Sequence, residues 1–159
     1  MSRVFITGSA DGLGQMAARL LIDAGHQVVL HARNAARAEE ALKAVPEAET
    51  ALAGDLSSIA ATVALAEQVN TLGRFDAVIH NAAVGYQEPR RIATVDGLPH
   101  VFAINTLAPY ILTALISKPE AARVSQLGLA SKRRREPRRS GMGPAAVAGH
   151  GCLFRLEAA

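Results

Sequence analysis

Short apolar runs alternate with stretches of helical periodicity as far as residue 116. Runs rich in Val, Ile, Leu and Ala predict strands at residues 3–7, 27–31, 49–54 and 75–80. Apolar residues at helical spacing, together with capping and stop signals, predict helices at about 12–24, 35–44, 57 or 58 to 72, and about 99–116. Each predicted strand is therefore followed by a predicted helix.

This alternation predicts an α/β fold. The first strand, the first helix and the second strand fit within about thirty residues, the length that a parallel crossover unit requires. Such crossovers are right-handed, and here they place helices on both faces of the sheet. Half of the residues are hydrophobic and only 4% are aromatic, which suits a sheet buried between helices. The sequence therefore predicts a doubly wound parallel sheet.

A glycine-punctuated turn joins the first strand to the first helix. Gly8 lets the chain leave the strand sharply, Gly12 lets the backbone approach a pyrophosphate, and Gly14 lets the helix pack closely on the strand. The N–H groups at the start of this helix, at its positive dipole end, would face the phosphates. An ordinary strand-to-helix turn is the alternative. If the turn binds a dinucleotide, the residues expected to do so are Gly8, Ser9, Asp11, Gly12, Leu13 and Gly14.

Further motifs follow at matching intervals. Thr7-Gly8, three residues and Gly12-Leu13-Gly14, then Asp55-Leu56, Asn81-Ala82-Ala83 and Asn105, resemble in order and spacing the cofactor half of the short-chain dehydrogenase/reductase family. Within that family the chain looks most like the retinol-dehydrogenase-like branch of uncharacterised oxidoreductases. The resemblance covers about residues 3–116. It implies an NAD(P)-binding, Rossmann-type domain at residues 1–117 that is truncated relative to the family, a small-molecule carbonyl or alcohol substrate, and a homo-oligomeric assembly.

The choice between cofactors depends on Arg33, two residues past the second strand, where this fold meets the adenosine ribose. An acidic residue there would accept from the 2′-hydroxyl of NAD, whereas arginine pairs with the 2′-phosphate of NADP. The sequence has Arg33-Asn34 and no acid there, so NADP is favoured over NAD and both residues are assigned to the site. A solvated arginine at a helix start is the alternative. Asp55 and Leu56 resemble the family pair beside the adenine ring, with a strand-end cap and a core leucine as alternatives.

Two asparagines complete the predicted site. Asn81 resembles the asparagine of the family's Asn-Ala-Gly turn, although the third residue here is Ala83, whose methyl group hinders close approach of the backbone. The turn Asn81-Ala82-Ala83 is assigned to cofactor binding. Asn105 interrupts an apolar helix and resembles the family asparagine that helps hold a proton-relay water, which implies a role in catalysis. Its alternative is a helix-interior asparagine that bonds locally.

The family's reaction transfers hydride between the nicotinamide and a carbonyl or alcohol. It needs a Tyr with a Lys four residues later, and a Ser that binds the substrate oxygen. Here Tyr86 is followed at that position by Arg90, and Tyr110 by Ala114. The sequence therefore predicts a short-chain oxidoreductase domain that has lost hydride transfer. The alternative is a catalytically dead dinucleotide-binding or regulatory module.

The charge is divided unevenly. Residues 1–117 hold 8 Lys/Arg against 11 Asp/Glu, a net −3, whereas residues 118–159 hold 9 against 3, a net +6. The basic run at 132–139 has no interleaved aromatic residue for base stacking, which disfavours a nucleic-acid arm. Its Arg, Gly, Pro and Ala content is typical of a disordered tail. The tail from residue 118 onward is therefore expected to be irregular.

A third interpretation of the tail is translation out of frame. Shifted by one base, suitable codons for residues 152–159 spell Ala-Tyr-Ser-Asp-Ser-Lys-Leu, and codons for 123–131 give Val-Tyr-Leu-Ser-Ser-Gly-Leu-His. These resemble the family's Tyr/Lys motif and catalytic-serine strand. The shifted Ser and Tyr overlap Leu127 and Leu153, at a family-like separation of 26 positions. The hypothesis is a frameshift, real or from sequencing, that begins between about residues 116 and 122.

Other features narrow the class of protein. Cys152 is the single cysteine, so an internal disulfide framework is excluded and a reducing compartment is expected. No apolar run is long enough to span a bilayer, and the chain enters a strand almost at once, which favours a cytoplasmic protein without a signal peptide. The other histidines lack metal-ligand spacing, so no metal site is expected. They are interpreted as structural or surface residues: His26, His80, His100 and His150. A parallel sheet cut after four strands would expose an apolar edge and aggregate.

Overall fold

A computed structural model describes residues 1–85 and 92–117, and the backbone of residues 123–126. The strands are β1 (Arg3–Ile6), β2 (Gln27–Ala32), β3 (Thr50–Ala53), β4 (Ala77–His80) and β5 (Arg123–Gln126). The first three helices are α1 (Gly12–Asp23), α2 (Ala35–Ala44) and α3 (Ile59–Thr71). The fourth helix, α4, has three consecutive segments, namely His100–Phe102, the π-helical Ala103–Leu107, and Ala108–Leu115.

The strands form one parallel sheet in the order β3-β2-β1-β4-β5. β1 lies at its centre, where Val4 pairs with Val28 of β2 on one side and with Ala77 of β4 on the other. The chain therefore builds the sheet outward from β1 in one direction and then returns to build it in the other. The predicted doubly wound α/β fold is confirmed.

Alternate residues of β1 face two separate cores. Val4 and Ile6 pack with residues of α1 and α2, whereas Phe5 packs with residues of α3 and α4 on the opposite face. All three side chains are almost fully buried. Helices thus cover both faces of the sheet, which explains why its inner strands are apolar on both sides.

Two elements differ from the sequence prediction. The helix expected at about 99–116 is interrupted by the π-helical segment Ala103–Leu107, which carries Asn105. The sheet was expected to stop after four strands, but β5 pairs in parallel with β4. β5 was missed because Arg123-Val124-Ser125-Gln126 is not an apolar run, and ladder hydrogen bonds come from the backbone and need no apolar side chain.

The described part of the chain extends past the predicted boundary at residue 117. Its residues all belong to one structural unit, Met1–Leu129. The loop residues Tyr86 and Arg90, and the tail with its basic run at 132–139 and Cys152, lie outside the described residues. The interpretations of that tail as disordered or out of frame therefore stay predictions.

Candidate cofactor site

The turn between β1 and α1 has a backbone that favours glycine. Gly8 and Gly12 have φ angles of +63° and +55°. A Cβ on Gly8 would lie 2.8 Å from the Cα of Ala82, whereas a Cβ on Gly12 would meet no atom within 4 Å. A Cβ on Gly14 would lie 2.4 Å from both the Gly8 carbonyl oxygen and the Asn81 Nδ2. Gly8 and Gly14 therefore permit close packing, while Gly12 presents its backbone to open space.

The residues that follow β4 hold this turn in place through hydrogen bonds. The Asn81 amide Nδ2 donates to the carbonyl oxygens of Gly8 at 2.8 Å and Thr7 at 3.2 Å. In return, the Thr7 hydroxyl accepts from the backbone N–H groups of Asn81 at 3.1 Å and Ala82 at 3.2 Å. The Asn81-Ala82 turn is therefore bound to the Gly8 turn by four hydrogen bonds.

Ser9 is used inside the fold. Its hydroxyl donates to the Ile6 carbonyl at 2.9 Å and accepts from the His31 backbone N–H at 2.8 Å. The residue is fully buried. The side chain of Ser9 therefore links β1 to β2 and does not line the cleft, and the assignment of Ser9 to cofactor binding stays a prediction.

His31 joins the turn to the end of β3. Its Nδ1 accepts from the Gly8 N–H at 3.0 Å, and its Nε2 lies 2.9 Å from the Gly54 carbonyl oxygen. This geometry assigns the proton to Nε2, because Nδ1 faces a donor and Nε2 faces an acceptor. Burial lowers the pKa of His31 to about 4, although the Gly54 carbonyl and the Asp55 charge oppose this shift. The imidazole is therefore neutral near pH 7.

A cleft of about 460 Å³ opens where these strands end. It lies beyond the carboxyl ends of β1 to β4, at the point where the chain reverses its direction of winding, which is the usual ligand-binding position in such sheets. The predicted site residues that line it are Gly8, Asp11, Gly12, Leu13, Arg33, Asp55, Leu56, Asn81, Ala82 and Ala83. The structure thus brings most of the predicted site together.

Gly14 and Asn34, also predicted, have structural contacts of their own. Gly14 lies under the turn, where α1 approaches Gly8 and Asn81. Asn34 caps α2, since its side chain accepts from the Arg37 N–H at 3.0 Å. Both residues stabilise elements beside the cleft and do not line it.

Asp55 and Leu56 each combine a structural contact with a place at the cleft. Both line the cleft. The Asp55 carboxylate also accepts from the Ser57 N–H at 2.9 Å, as a cap at the strand end would. Leu56 is also a member of the core cluster that contains Phe5. A structural role and a place at the cleft are therefore compatible at both positions.

Asn105 holds the loop that follows β4. Its Oδ1 accepts from the Val84 N–H at 2.9 Å and its Nδ2 donates to the Val84 carbonyl at 2.9 Å. These bonds cross 21 residues of sequence, so Asn105 does not bond only within its own helix. Val84 and Ile104, its sequence neighbour, line the cleft. Asn105 thereby sets the position of one wall.

The cleft has lining residues that sequence analysis missed: His31, Gly54, Ser57, Val84, His100 and Ile104. A detectable signal existed for His31, which is a polar residue in an otherwise apolar buried strand. His100 was expected to be structural or at the surface, and it lines the cleft.

His80 is structural, as predicted. Its Nε2 lies 3.0 Å from the Thr113 hydroxyl, and burial lowers its pKa to about 4.

The described residues contain no group of three or more His, Cys, Asp or Glu side chains arranged to hold a metal ion. Among the helices of the described residues, none is long and apolar enough to cross a membrane.

Comparison with known proteins identifies similar chains. The family model described as short chain dehydrogenase matches residues 2–124. An uncharacterised oxidoreductase of Emericella nidulans is 61% identical over 122 residues, covering 76% of this chain and 48% of its own length. Human retinol dehydrogenase 14 is 33% identical over 132 residues, covering 71% of this chain and 39% of its own. The chain thus spans about half or less of the length of these relatives.

Solved structures share the fold. RhlG of Pseudomonas aeruginosa, solved as an active-site complex with NADP, superposes with a TM-score of 0.60 at 29% identity. The alignment covers 72% of this chain and 46% of RhlG. The family match ends close to β5, eight residues beyond the stretch over which the sequence motifs showed a resemblance.

Proposed function

Because the chain belongs to the short-chain dehydrogenase/reductase family, we propose that its cleft binds a nicotinamide dinucleotide. The observation that carries this proposal is the open backbone at Gly12. The residue has a positive φ and no atom within 4 Å of a Cβ position, and it begins a helix whose N-terminal N–H groups lack intrahelical partners. A pyrophosphate fits such a cradle.

NADP is the preferred form in this proposal. Arg33 is exposed and lines the cleft immediately after β2, where the adenosine ribose of a dinucleotide binds in this fold. A guanidinium there pairs with a 2′-phosphate. The complex of RhlG with NADP supports this preference by analogy.

Cofactor binding and hydride transfer require different residues. A bound nicotinamide would supply a hydride acceptor or donor. Neither Tyr86 nor Tyr110 has a lysine four residues later, and the Tyr/Lys pair that would move the proton is therefore missing from this chain. We infer that the chain binds the cofactor and does not reduce carbonyls. The missing tyrosine and lysine equally favour a catalytically dead or regulatory module as the second candidate.

The binding test compares NADPH with NADH by calorimetric titration of the full chain. Arg33→Gln is expected to weaken NADPH binding by about tenfold, because a charge-assisted hydrogen bond to phosphate is lost. NADH binding should change by less than about twofold. Arg19→Gln is the matched control, since Arg19 bonds the Ala44 carbonyl at 3.0 Å and does not line the cleft. If neither NADPH nor NADH binds, the proposed function is rejected. If Arg33→Gln weakens the binding of both dinucleotides equally, the preference for NADP is rejected.

The activity test follows NADPH absorbance with a panel of aldehydes and ketones. We expect no carbonyl-dependent oxidation above the rate without protein. Turnover by the purified chain would show that another residue supplies the proton, and it would reject both the inferred inactivity and the second candidate.

We also propose that the tail is translated out of frame. The family match ends at residue 124, close to the predicted start of the change at residues 116–122, and suitable codons read in the shifted frame spell Ser and Tyr/Lys motifs. Sequencing the gene from the Asn105 codon past the stop codon tests this. A gained or lost base that opens a continuing family-like frame is the expected result, and an intact frame with no such continuation would reject it.

A further inference from the structure

Asp11, the residue that precedes α1, pairs with a side chain of another helix and does not cap its own. It is the N-cap of α1, and its backbone has the extended conformation typical of that position, with φ −155° and ψ −176°. Its side chain accepts no hydrogen bond from the helix. The carboxylate instead forms an ion pair with the Arg37 guanidinium of α2.

Helices α2 and α3 show what a polar side chain at this position ordinarily does. Asn34 caps α2 by accepting from the Arg37 N–H at 3.0 Å, and Ser58 caps α3 by accepting from the Ala61 N–H at 3.4 Å. Asp is among the best N-cap residues, and the cap bonds the N–H of the second or third helical residue. For Asp11 those residues are Leu13 and Gly14. The ion pair therefore turns a strong capping group away from its own helix.

Two contacts within α2 and its cap hold Arg37 beside Asp11. Its backbone N–H is fixed by Asn34, and its guanidinium also bonds the Glu40 carboxylate at 2.6 Å, one turn along α2. The guanidinium thus lies between two carboxylates, one on its own helix and one at the cleft. Asp11 is 77% exposed, so burial does not hold its side chain in place.

We propose that Arg37 is a positioning residue for the pyrophosphate, which it serves by keeping the Asp11 carboxylate off the start of α1. This inference rests on the proposed function. A carboxylate at the helix start would occupy the N–H groups that the ligand phosphates need, and its charge would repel them. Paired with Arg37, Asp11 leaves those groups open and its charge is largely offset.

Positioning of Asp11 by Arg37 and direct phosphate binding by Arg37 predict different changes in affinity. In Arg37→Gln, Asp11 is released to cap α1. Dissociation constants for ADP, NADH and NADPH should then rise by a similar factor, about fivefold, because all three share the pyrophosphate and a cap is worth that much. Asp11→Ala in the same chain removes the competitor. The double variant Asp11→Ala/Arg37→Gln should therefore recover most of the affinity that Arg37→Gln loses.

Thermal unfolding without ligand gives a second readout. Arg37→Gln should unfold at the same or a higher temperature, because the new cap offsets two exposed ion pairs that contribute little. Arg37→Lys should keep most of the binding, since lysine preserves the pair. Glu40→Gln is the matched control, because it removes the other partner of Arg37 and leaves Asp11 paired.

The outcomes are distinguishable. A loss confined to NADPH would assign Arg37 to the 2′-phosphate and overturn the inference. Failure of Asp11→Ala to restore binding in the double variant would overturn it too, as would a fall in unfolding temperature that parallels the loss of binding. If the unmodified chain binds none of the three ligands, the proposed function itself fails and the inference with it.

Discussion

Gly14 shows how the absence of one side-chain atom determines the packing of the turn between β1 and α1. A Cβ at this position would lie 2.4 Å from the Gly8 carbonyl oxygen, which also accepts from the Asn81 amide. We expect Gly14→Ala to push α1 away from the turn and to lower the free energy of unfolding by about 2–3 kcal/mol. Urea-induced unfolding followed by circular dichroism measures this loss.

Gly12→Ala is the comparison. Its Cβ would meet no atom within 4 Å, but the φ of +55° is unfavourable for a residue with a side chain. The cost should be about 1 kcal/mol, smaller than at Gly14. A loss at Gly12 equal to that at Gly14 would mean that backbone strain, and not contact with Gly8 and Asn81, determines the requirement for glycine.

At the scale of single elements, α4 depends on a side chain that leaves the helix. Asn105 lies in the π-helical segment and holds both the N–H and the carbonyl of Val84 at 2.9 Å. Asn105→Ala would leave these two part-buried groups without that partner, at a cost of about 2 kcal/mol in the free energy of unfolding. Asn105→Asp keeps an acceptor for the Val84 N–H but places a carboxylate oxygen against the Val84 carbonyl, so it should cost at least as much.

Hydrogen exchange at the Val84 amide locates this effect. The amide should exchange faster in Asn105→Ala and remain protected in Asn105→Asp. Equal protection in both variants would show that the loop after β4 is held by other contacts.

The elements differ in how far sequence determines them. The bounds of α2 were predicted at 35–44, with Pro46 closing the helix because proline cannot continue it. The structure adds that Asn34 caps its start. The π-helical segment was not predicted. Its Asn105 bonds a loop 21 residues earlier, a contact that no local pattern shows. β5 was missed for a related reason, because β4 supplies the hydrogen bonds that define it.

For the whole molecule, two buried histidines make stability depend on pH. Burial lowers the pKa of His31 and of His80 to about 4 from an ordinary value of 6.5. The unfolded chain therefore binds these protons as the pH falls through 6.5, whereas the folded chain stays neutral until about pH 4. The free energy of unfolding should fall between these values by up to about 3 kcal/mol per histidine, and this contribution should not change further below pH 4.

Unfolding in urea at several pH values between 7.5 and 4 checks this slope. His31→Asn and His80→Asn should each remove about half of it, and the double variant most of it. A slope unchanged in both single variants would show that other groups carry the pH dependence.

The site was predictable where a motif fixes the backbone and less so where side chains meet across elements. Gly8, Arg33, Asp55 and the turn at Asn81 lie just after strands, and Gly12 and Gly14 lie in the first turn of α1. The alternating pattern locates both kinds of position. The burial of Ser9 depends on its hydrogen bond to β2, and the tautomer of His31 depends on Gly8 and Gly54. Such partners are separated by more than twenty residues, so no local pattern shows them.

The central position of β1 also determines the order in which the chain can assemble. Arg3 pairs with Gln27 across 24 residues, whereas Val4 pairs with Ala77 across 73. Closing the longer loop costs about 1 kcal/mol more in chain entropy, so contacts between β1 and β2 should form earlier in folding than those with β4. The Gly8 turn acquires the Asn81 amide only in that later step. During refolding, nucleotide affinity should therefore appear after most of the first β-α-β unit has formed.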